Sequence, residues 1–501
     1  MKKRITITSF LMLIVVLTQA QTTIPGGDVS GCWTATGSPY LIEGDITVPD
    51  GSALVIEQGV TVEFQGYYYF RIDGLITAEG TEQDSIFFKA PGSSGHRGLK
   101  IYTDTGLADS IVFTYCRFQD GNCSGTWPDN CGGAIAVWEF DNIRIEHCLF
   151  IDNQAWNGSQ AAGGALALAE FNGIIRYNSF IDNSSTYGGG IMAWNSTNCV
   201  ISNNYFYDNY ATYEGPAIQI WTLSNPDISD NIFVSNRANQ RGGAISIYDE
   251  SSPQISNNLF YNNLSLFRAG AVYVQAMCNP LILNNTIVDN TANLHGGAIE
   301  VDYECNPLII NNIIWGNSSP LGCQIYIADT ICIPDFFHND IMYGKDSIGG
   351  AAVIGEWKSN IDLDPLFLGP GSGDYHLDAL SPCIDAGTDT IIDPDGTVSD
   401  LGAFYFDQAT GVYEQHDNIY SLNIFCWPNP VVDEVMIGYQ MPGSGCQDGR
   451  LVIYSPEGKQ MDEILMKDIL IRYNASHLQA GIYVVRVQAG KYVGSCRMVK
   501  K

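Results

Sequence analysis

Four side chains recur one period apart in a chain otherwise short of positive charge: Glu214, Arg241, Arg268 and His295, each 27 residues after the last. Two guanidinium groups and an imidazole held in line can neutralise a sugar carboxylate, and one of them can take a proton from the adjacent carbon. Five residues behind them come Gln219, Tyr273 and Glu300, and seven behind come Trp221, Tyr248 and Asp302, with Trp138 on the same strand face of an earlier coil. Aromatic rings stack on the C–H faces of sugars while amides and carboxylates take the hydroxyls. The pattern names Arg241, Arg268, His295 and Glu300 as candidate catalytic groups, and Trp138, Trp221, Tyr248, Tyr273 and Asp302 as candidate ligand-binding groups. Two plainer readings stay open: an ion pair between Glu214 and Arg241 on a solvated surface, and β-favouring residues on an exposed sheet.

These residues keep register because the chain is a repeat. Gly-Gly-Ala-Ile, or a close variant, alternates with Asn-x-Phe-x-x-Asn, whose first residue falls at Asn178, Asn204, Asn231, Asn258, Asn285, Asn312 and Asn339. Those intervals are 26 and then five of 27. The second glycine of the other phrase keeps the same beat at Gly133, Gly164, Gly190, Gly243, Gly270 and Gly297, with Pro216 in one coil. A period of this size means one structural unit per repeat, each stacked on its neighbours.

Alternation in Ala134-Ile135-Ala136-Val137 and Ala244-Ile245-Ser246-Ile247 is strand-like, and the many Asn, Gly and β-branched residues exclude helix. Each repeat reads as two or three short strands joined by tight turns, and stacking sets like strands about 4.8 Å apart. Equal positions then become vertical ladders. Phe118, Phe150, Phe180, Phe206, Phe233, Phe260, Ile287, Ile314 and Ile341 form the interior one. The asparagines just before it stack as amides, each donating to the next, which satisfies polar groups the turns would leave unpaired.

On these ladders and phrases the repeats resemble right-handed parallel β-helix proteins of the pectin-lyase-like superfamily, over roughly residues 50 to 345. The resemblance implies a fold and leaves the activity open among lyases, hydrolases and adhesins. The paired aspartates, Gly-His-Gly and Arg-Ile-Lys of the superfamily's hydrolases do not occur together, nor does the arginine-proline segment of its calcium-dependent pectate lyases. Asp152, Asp182 and Asp208 stack in three consecutive coils, where close like charges favour calcium or a raised pKa, although an Asp-Asn turn explains them as solvated caps.

The rest of the chain frames this solenoid. Lys2, Lys3 and Arg4, then Phe10 to Val16, then Thr18-Gln19-Ala20 read as a secretory signal peptide over residues 1–20. No other stretch is apolar for long enough to span a membrane. Removing those three basic residues takes the net charge from −30 to −33, which excludes nucleic acid as a partner and repels polyanions away from any basic patch. Residues 21–50 are the expected N-terminal cap, 51–345 the β-helix of about ten coils, and 346–412 its C-terminal cap, the last carrying Asp364-Pro365-Leu366-Phe367, Tyr375-His376-Leu377 and Ser381-Pro382-Cys383. Within it Asp393, Asp395 and Asp400 sit at spacing suited to calcium, the one cofactor the sequence suggests, but the bidentate glutamate is missing and an ordinary Asp-Gly turn is the alternative.

The fourteen cysteines fit an oxidising compartment. One-coil stacking brings Cys278, Cys305 and Cys332 within bridging range, Cys123 and Cys131 flank an insertion, and Cys116 and Cys148 share a register position; free buried thiols are the alternative. From 421 to 501 an alternating-strand module contains Trp427-Pro428-Asn429-Pro430, Gly481-Ile482-Tyr483-Val484-Val485-Arg486-Val487 and a basic end at Lys500-Lys501. It closely resembles the C-terminal sorting domain of the type IX secretion system of Bacteroidetes, a small β-sandwich. That resemblance implies recognition by an outer-membrane translocon and an extracellular or cell-surface destination.

The sequence thus predicts an all-β protein, a right-handed parallel β-helix followed by a small C-terminal β-sandwich. Two functions compete. One is binding or cleavage of an extracellular polysaccharide along the Gly-Gly-Ala-Ile face, by a lyase or a glycoside hydrolase if an enzyme. The other is a non-catalytic adhesin or spacer that meets a host or cell-surface ligand.

Overall fold

The computed structural model describes residues 21–92, 95–102, 111–156 and 160–408, together with 420–421, 423–427, 431, 434–440, 449–455, 459–467, 470–479, 481–489 and 492–500. The signal-peptide reading at 1–20, Pro428-Asn429-Pro430 and Lys501 lie outside the described residues.

Three thirteen-stranded parallel sheets wind through the repeat region, and among the described residues there is no α-helix. In a representative coil the chain runs through Ile143–Glu146 in the third sheet and Leu149–Ile151 in the first. It continues through the short lateral strand Gln154–Trp156, then Leu166–Ala169 in the second sheet. The lateral strands form a seven-stranded ribbon of their own, one more element per coil than the alternation alone predicts.

The interior ladder is as expected: Phe118, Phe150, Phe180, Phe206, Phe233 and Phe260 are fully buried, as are Ile287, Ile314 and Ile341. Adjacent rings are stacked, with centroids 4.9 Å apart between Phe206 and Phe233 and 4.6 Å between Phe233 and Phe260. Each such ring contributes about 1.5–3 kcal/mol by leaving water. The amide ladder is also built. Asn204 donates both its backbone N–H and its Nδ2 to Asn231 Oδ1, at 2.9 and 3.0 Å, and spends its other amide hydrogen on the Ile175 carbonyl. A parallel ladder runs through Asn153, Asn183, Asn209, Asn236, Asn263, Asn290 and Asn317.

Both expected caps differ. Residues 21–50 are already coil: Thr22–Ile24, Gly27–Asp28 and Gly31–Trp33 each pair in parallel with the next turn, and Trp33 stacks on Tyr40 at 4.6 Å at this end of the core. At the other end Ile348–Gly350 and Trp357–Lys358 extend the second and third sheets. The segment 364–406 then turns back along the flank. Its Tyr375, Leu377, Cys383 and Leu401 are buried against Val288, Tyr261 and Ile313 on the outer face of the first sheet.

The eleven cysteines whose side chains are described are all free thiols. The register explains why. Cys278, Cys305 and Cys332 continue a column begun by Thr197, Ser224 and Ser251, in which Ser224, Ser251, Cys305 and Cys332 each accept the backbone N–H of the column residue one coil before. Cys278 N–H donates to Cys305 Sγ at 3.1 Å, so sulfur replaces hydroxyl as an acceptor. Cys148 Sγ likewise takes the Cys116 N–H, and the Cys123 thiol takes a hydrogen bond from the buried Lys100 ammonium at 3.1 Å.

The C-terminal module has a five-stranded and a three-stranded sheet around one core that includes Val435, Ile437, Leu451, Val485, Val487 and Met498. It is the β-sandwich expected.

Candidate functional site

The Gly-Gly-Ala-Ile phrase makes a turn before it makes a strand. Gly215, Gly242 and Gly296 all have φ of +60°, and a Cβ on Gly242 would lie 2.3 Å from the Ile245 carbonyl oxygen. That left-handed corner lays the preceding side chain over the outer face of the second sheet. Glu214, Arg241, Arg268 and His295 are joined in register by successive parallel bridges, as their spacing predicts. They form a lid over the positions that alternation marks as outward-facing.

What lies under the lid departs from expectation. Tyr273 and Glu300, expected to face a ligand, are both 0 % exposed. The Arg241 guanidinium covers the Tyr273 ring at 5.4 Å from its centroid, and the Tyr273 hydroxyl donates to Asp302 Oδ2 at 3.1 Å. Arg268 Nη1 meets Glu300 Oε1 at 3.3 Å and Asp302 Oδ2 at 3.2 Å. Arg241 Nη1 meets Glu214 Oε1 at 2.8 Å and Gln275 Oε1 at 3.2 Å, and Glu214 Oε2 accepts the Ser246 hydroxyl. The guanidinium forks therefore face protein carboxylates. His295 stacks on Tyr326 with centroids 4.0 Å apart.

Burial sets the protonation states. It pushes the Glu300 carboxyl up to about 8, against the opposing pull of Arg268. Burial and then Arg268 lower the His295 imidazole, and burial raises Glu214. The cluster is thus a protonated acid, a neutral imidazole and internally paired charges. Buried polar atoms without a hydrogen-bond partner gather here: Gln219 Oε1, Arg241 Nε, Arg268 Nε, His295 Nδ1 and Glu300 Oε2. A general acid must reach its substrate, and here the Glu300 carboxyl lies beneath the arginines with no exposed surface.

Beside this cluster, on the side of lower residue number, runs the aromatic column. Trp138, Trp221 and Tyr248 lie in it as expected, in line with Tyr102 and Trp194. Trp194 sits 27 residues before Trp221, so the repeat spacing by itself is the signal that places it in the column. One face of Trp138 is covered: Tyr102 stacks on it at 4.6 Å with 5° between the planes. Around Trp221 the rings tilt instead. Tyr248 stands edge-on to it at 5.6 Å, Tyr187 lies at 45°, and Tyr213 tilts against Tyr187. Trp127, from the insertion between Cys123 and Cys131, crosses Trp194 at 61° and is 47 % exposed. Only the fold could bring Trp127 to this column.

The other candidates are structural in placement. Asp400 accepts the backbone N–H groups of Asp385 and Phe406, Asp393 that of Asp400, and Asp395 those of Thr397 and Gln408. Their oxygens organise the loop, and among the described residues no three His, Cys, Asp or Glu groups converge as a metal site. Asp152, Asp182 and Asp208 occupy left-handed turn positions, φ +55°, +54° and +52°. Burial, with Asp208 and Asp152, raises Asp182 to about 6.

Comparison with known families agrees with this architecture. Residues 85–265 and 213–333 match the model for a right handed beta helix region, and residues 425–501 match that for a secretion system C-terminal sorting domain. A stretch of 67 residues, 13 % of this chain, is 37 % identical to part of the Drosophila melanogaster protein bark beetle; the chain spans about 2 % of that protein's length. No helix among the described residues is long and apolar enough to cross a membrane.

Proposed function

The chain is a right-handed parallel β-helix protein carrying a type IX secretion sorting domain that sends it to the cell surface or beyond, and we propose that it binds extracellular polysaccharide there without cleaving it. The ligand surface is the tilted aromatic group Trp127, Trp221, Tyr213 and Tyr248. One observation carries this reading. Trp127 and Trp221 meet neighbouring rings at steep angles, unlike the face-to-face Phe ladder, and Trp127 is 47 % exposed with Trp221 half-buried, leaving ring surface accessible where an inert spacer gains nothing from it.

The ionic cluster beside it acts as a rigid shoulder. Its arginines hold Glu300, Asp302 and Glu214, so they fix Tyr273 and the strand beneath. Screening the purified protein against a panel of neutral and acidic polysaccharides tests the proposal, with product analysis for each. Retention on at least one polysaccharide without chain scission is expected. Binding to none favours the spacer, and release of oligosaccharides restores an enzyme.

A further inference from the structure

We propose a second, independent binding site for a small organic ammonium ion, in the cavity between the first sheet and the segment that folds back over it. This cavity of about 290 Å³ is lined by Val288, Asp289, Trp315, Asp364, Leu366, Phe367, Pro370 and Tyr375. Two parts of the chain that are distant in sequence build it. Val288 and Trp315 point outward from adjacent strands, Thr286–Val288 and Ile313–Trp315, and the other wall comes from the returning segment.

Its chemistry is one-sided. Trp315, Phe367 and Tyr375 form its aromatic lining, with Tyr375 only 3 % exposed and Phe367 edge-on to it at 5.1 Å. Two carboxylates, Asp289 and Asp364, join them, and among the described residues no Lys, Arg or His lines the cavity. Asp289 Oδ2 accepts the Tyr375 hydroxyl at 2.9 Å, which fixes that ring and uses its only donor. Asp364 Oδ1 accepts the Leu366 N–H. The second oxygen of each carboxylate is left for a ligand. A sugar here would find acceptors and, apart from the Trp315 indole, no side-chain donor.

A cation suits such a lining. Ring faces attract an ammonium group through their quadrupole, and the paired carboxylates add direct charge attraction. The size is at the small end for ligand pockets, matching a head group rather than an oligomer. The net charge of −30 raises the local concentration of cations further. Alkylation at nitrogen favours binding because a methylated ammonium sheds water easily and its methyl groups pack on ring surface.

Titration of the full chain with choline and with tetramethylammonium, followed by Trp315 fluorescence and by calorimetry, tests this. The uncharged carbon isostere of choline and free glucose serve as comparisons. Both cations are expected to bind, the isostere at least about tenfold more weakly. Trp315→Ala should abolish the signal. Asp364→Asn, at an exposed position that folding does not need, should weaken binding about tenfold while leaving Tm unchanged. Vesicles of phosphatidylcholine distinguish the source: binding to them as well as to free choline identifies a lipid head group, and binding to free choline alone a soluble one. Equal affinity for the isostere, preference for glucose, or wild-type binding by Asp364→Asn would overturn the assignment.

Discussion

Arg268 Nη1 lies 3.3 Å from Glu300 Oε1, and the carboxyl end of that pair is fully buried while the arginine side chain is 26 % exposed. An arginine expected to reach out for a ligand instead reaches across to the next coil. Arg268→Ala should therefore cost stability, about 1–3 kcal/mol, because it removes the charged donor shared by Glu300 and Asp302. Chemical denaturation of the single variants and of Arg268→Ala with Glu300→Gln measures the coupling. A change below about 0.5 kcal/mol would return Arg268 to the role of a solvated surface charge.

Glu300 also gives stability a pH dependence. Its folded carboxyl titrates near 8 against an ordinary value of 4.5, so between those values the folded chain keeps a proton that the unfolded chain has released. Stability from this group is complete at low pH and is lost as pH rises through about 8. Wild-type Tm should fall between about pH 5 and pH 9, and Glu300→Gln should flatten that decline. Asp182, Asp340 and Asp400, raised to about 6 by burial, act in the same direction over a lower window common to both proteins. Parallel Tm curves for the two proteins would contradict the assignment to Glu300.

The interior ladder gives a local test of the solenoid. Phe233 is fully buried between rings at 4.9 and 4.6 Å, and the coils above and below hold those rings apart. Phe233→Ala should lose about 3–5 kcal/mol in equilibrium unfolding. A loss below about 1 kcal/mol would mean that the coils can close the gap.

Much of this architecture is legible in the sequence because a solenoid repeats its own coordinates. A 27-residue beat turns linear spacing into vertical contact, so the Phe and Asn ladders, and the column from Glu214 to His295, follow from residue spacing alone. Alternation says which way a side chain points but not what lies over it. Tyr273 and Glu300 do point out of the strand, yet the left-handed corner folds Arg241 and Arg268 over them. The same limit applies to stacking: register aligns Tyr102 with Trp138 and cannot tell that they cover one another's faces. Trp127 and the cavity beside Trp315 depend on segments outside the period, where spacing carries no positional information.

The sorting assignment has its own consequence. The β-helix core is a different cluster from that of the C-terminal module, against whose surface Tyr205 and Tyr207 of the solenoid pack, so deleting residues 421–501 should leave a folded solenoid that stays in the periplasm. Cell fractionation with protease protection reads this directly. Delivery of the truncated chain to the surface at the normal level would contradict the role of the domain.

The central claim is that ligand meets the tilted rings and not the arginines, and one affinity series separates the two. With the best polysaccharide from the panel, Trp127→Ala and Trp221→Ala should each weaken binding at least about tenfold. Trp127→Ala should do so with no change in Tm, since that ring is 47 % exposed, and Arg268→Ala should retain near wild-type affinity wherever it remains folded. Unchanged affinity in both tryptophan variants, with binding lost in Arg268→Ala at a temperature where it is folded, would contradict the account and move the site to the ionic cluster.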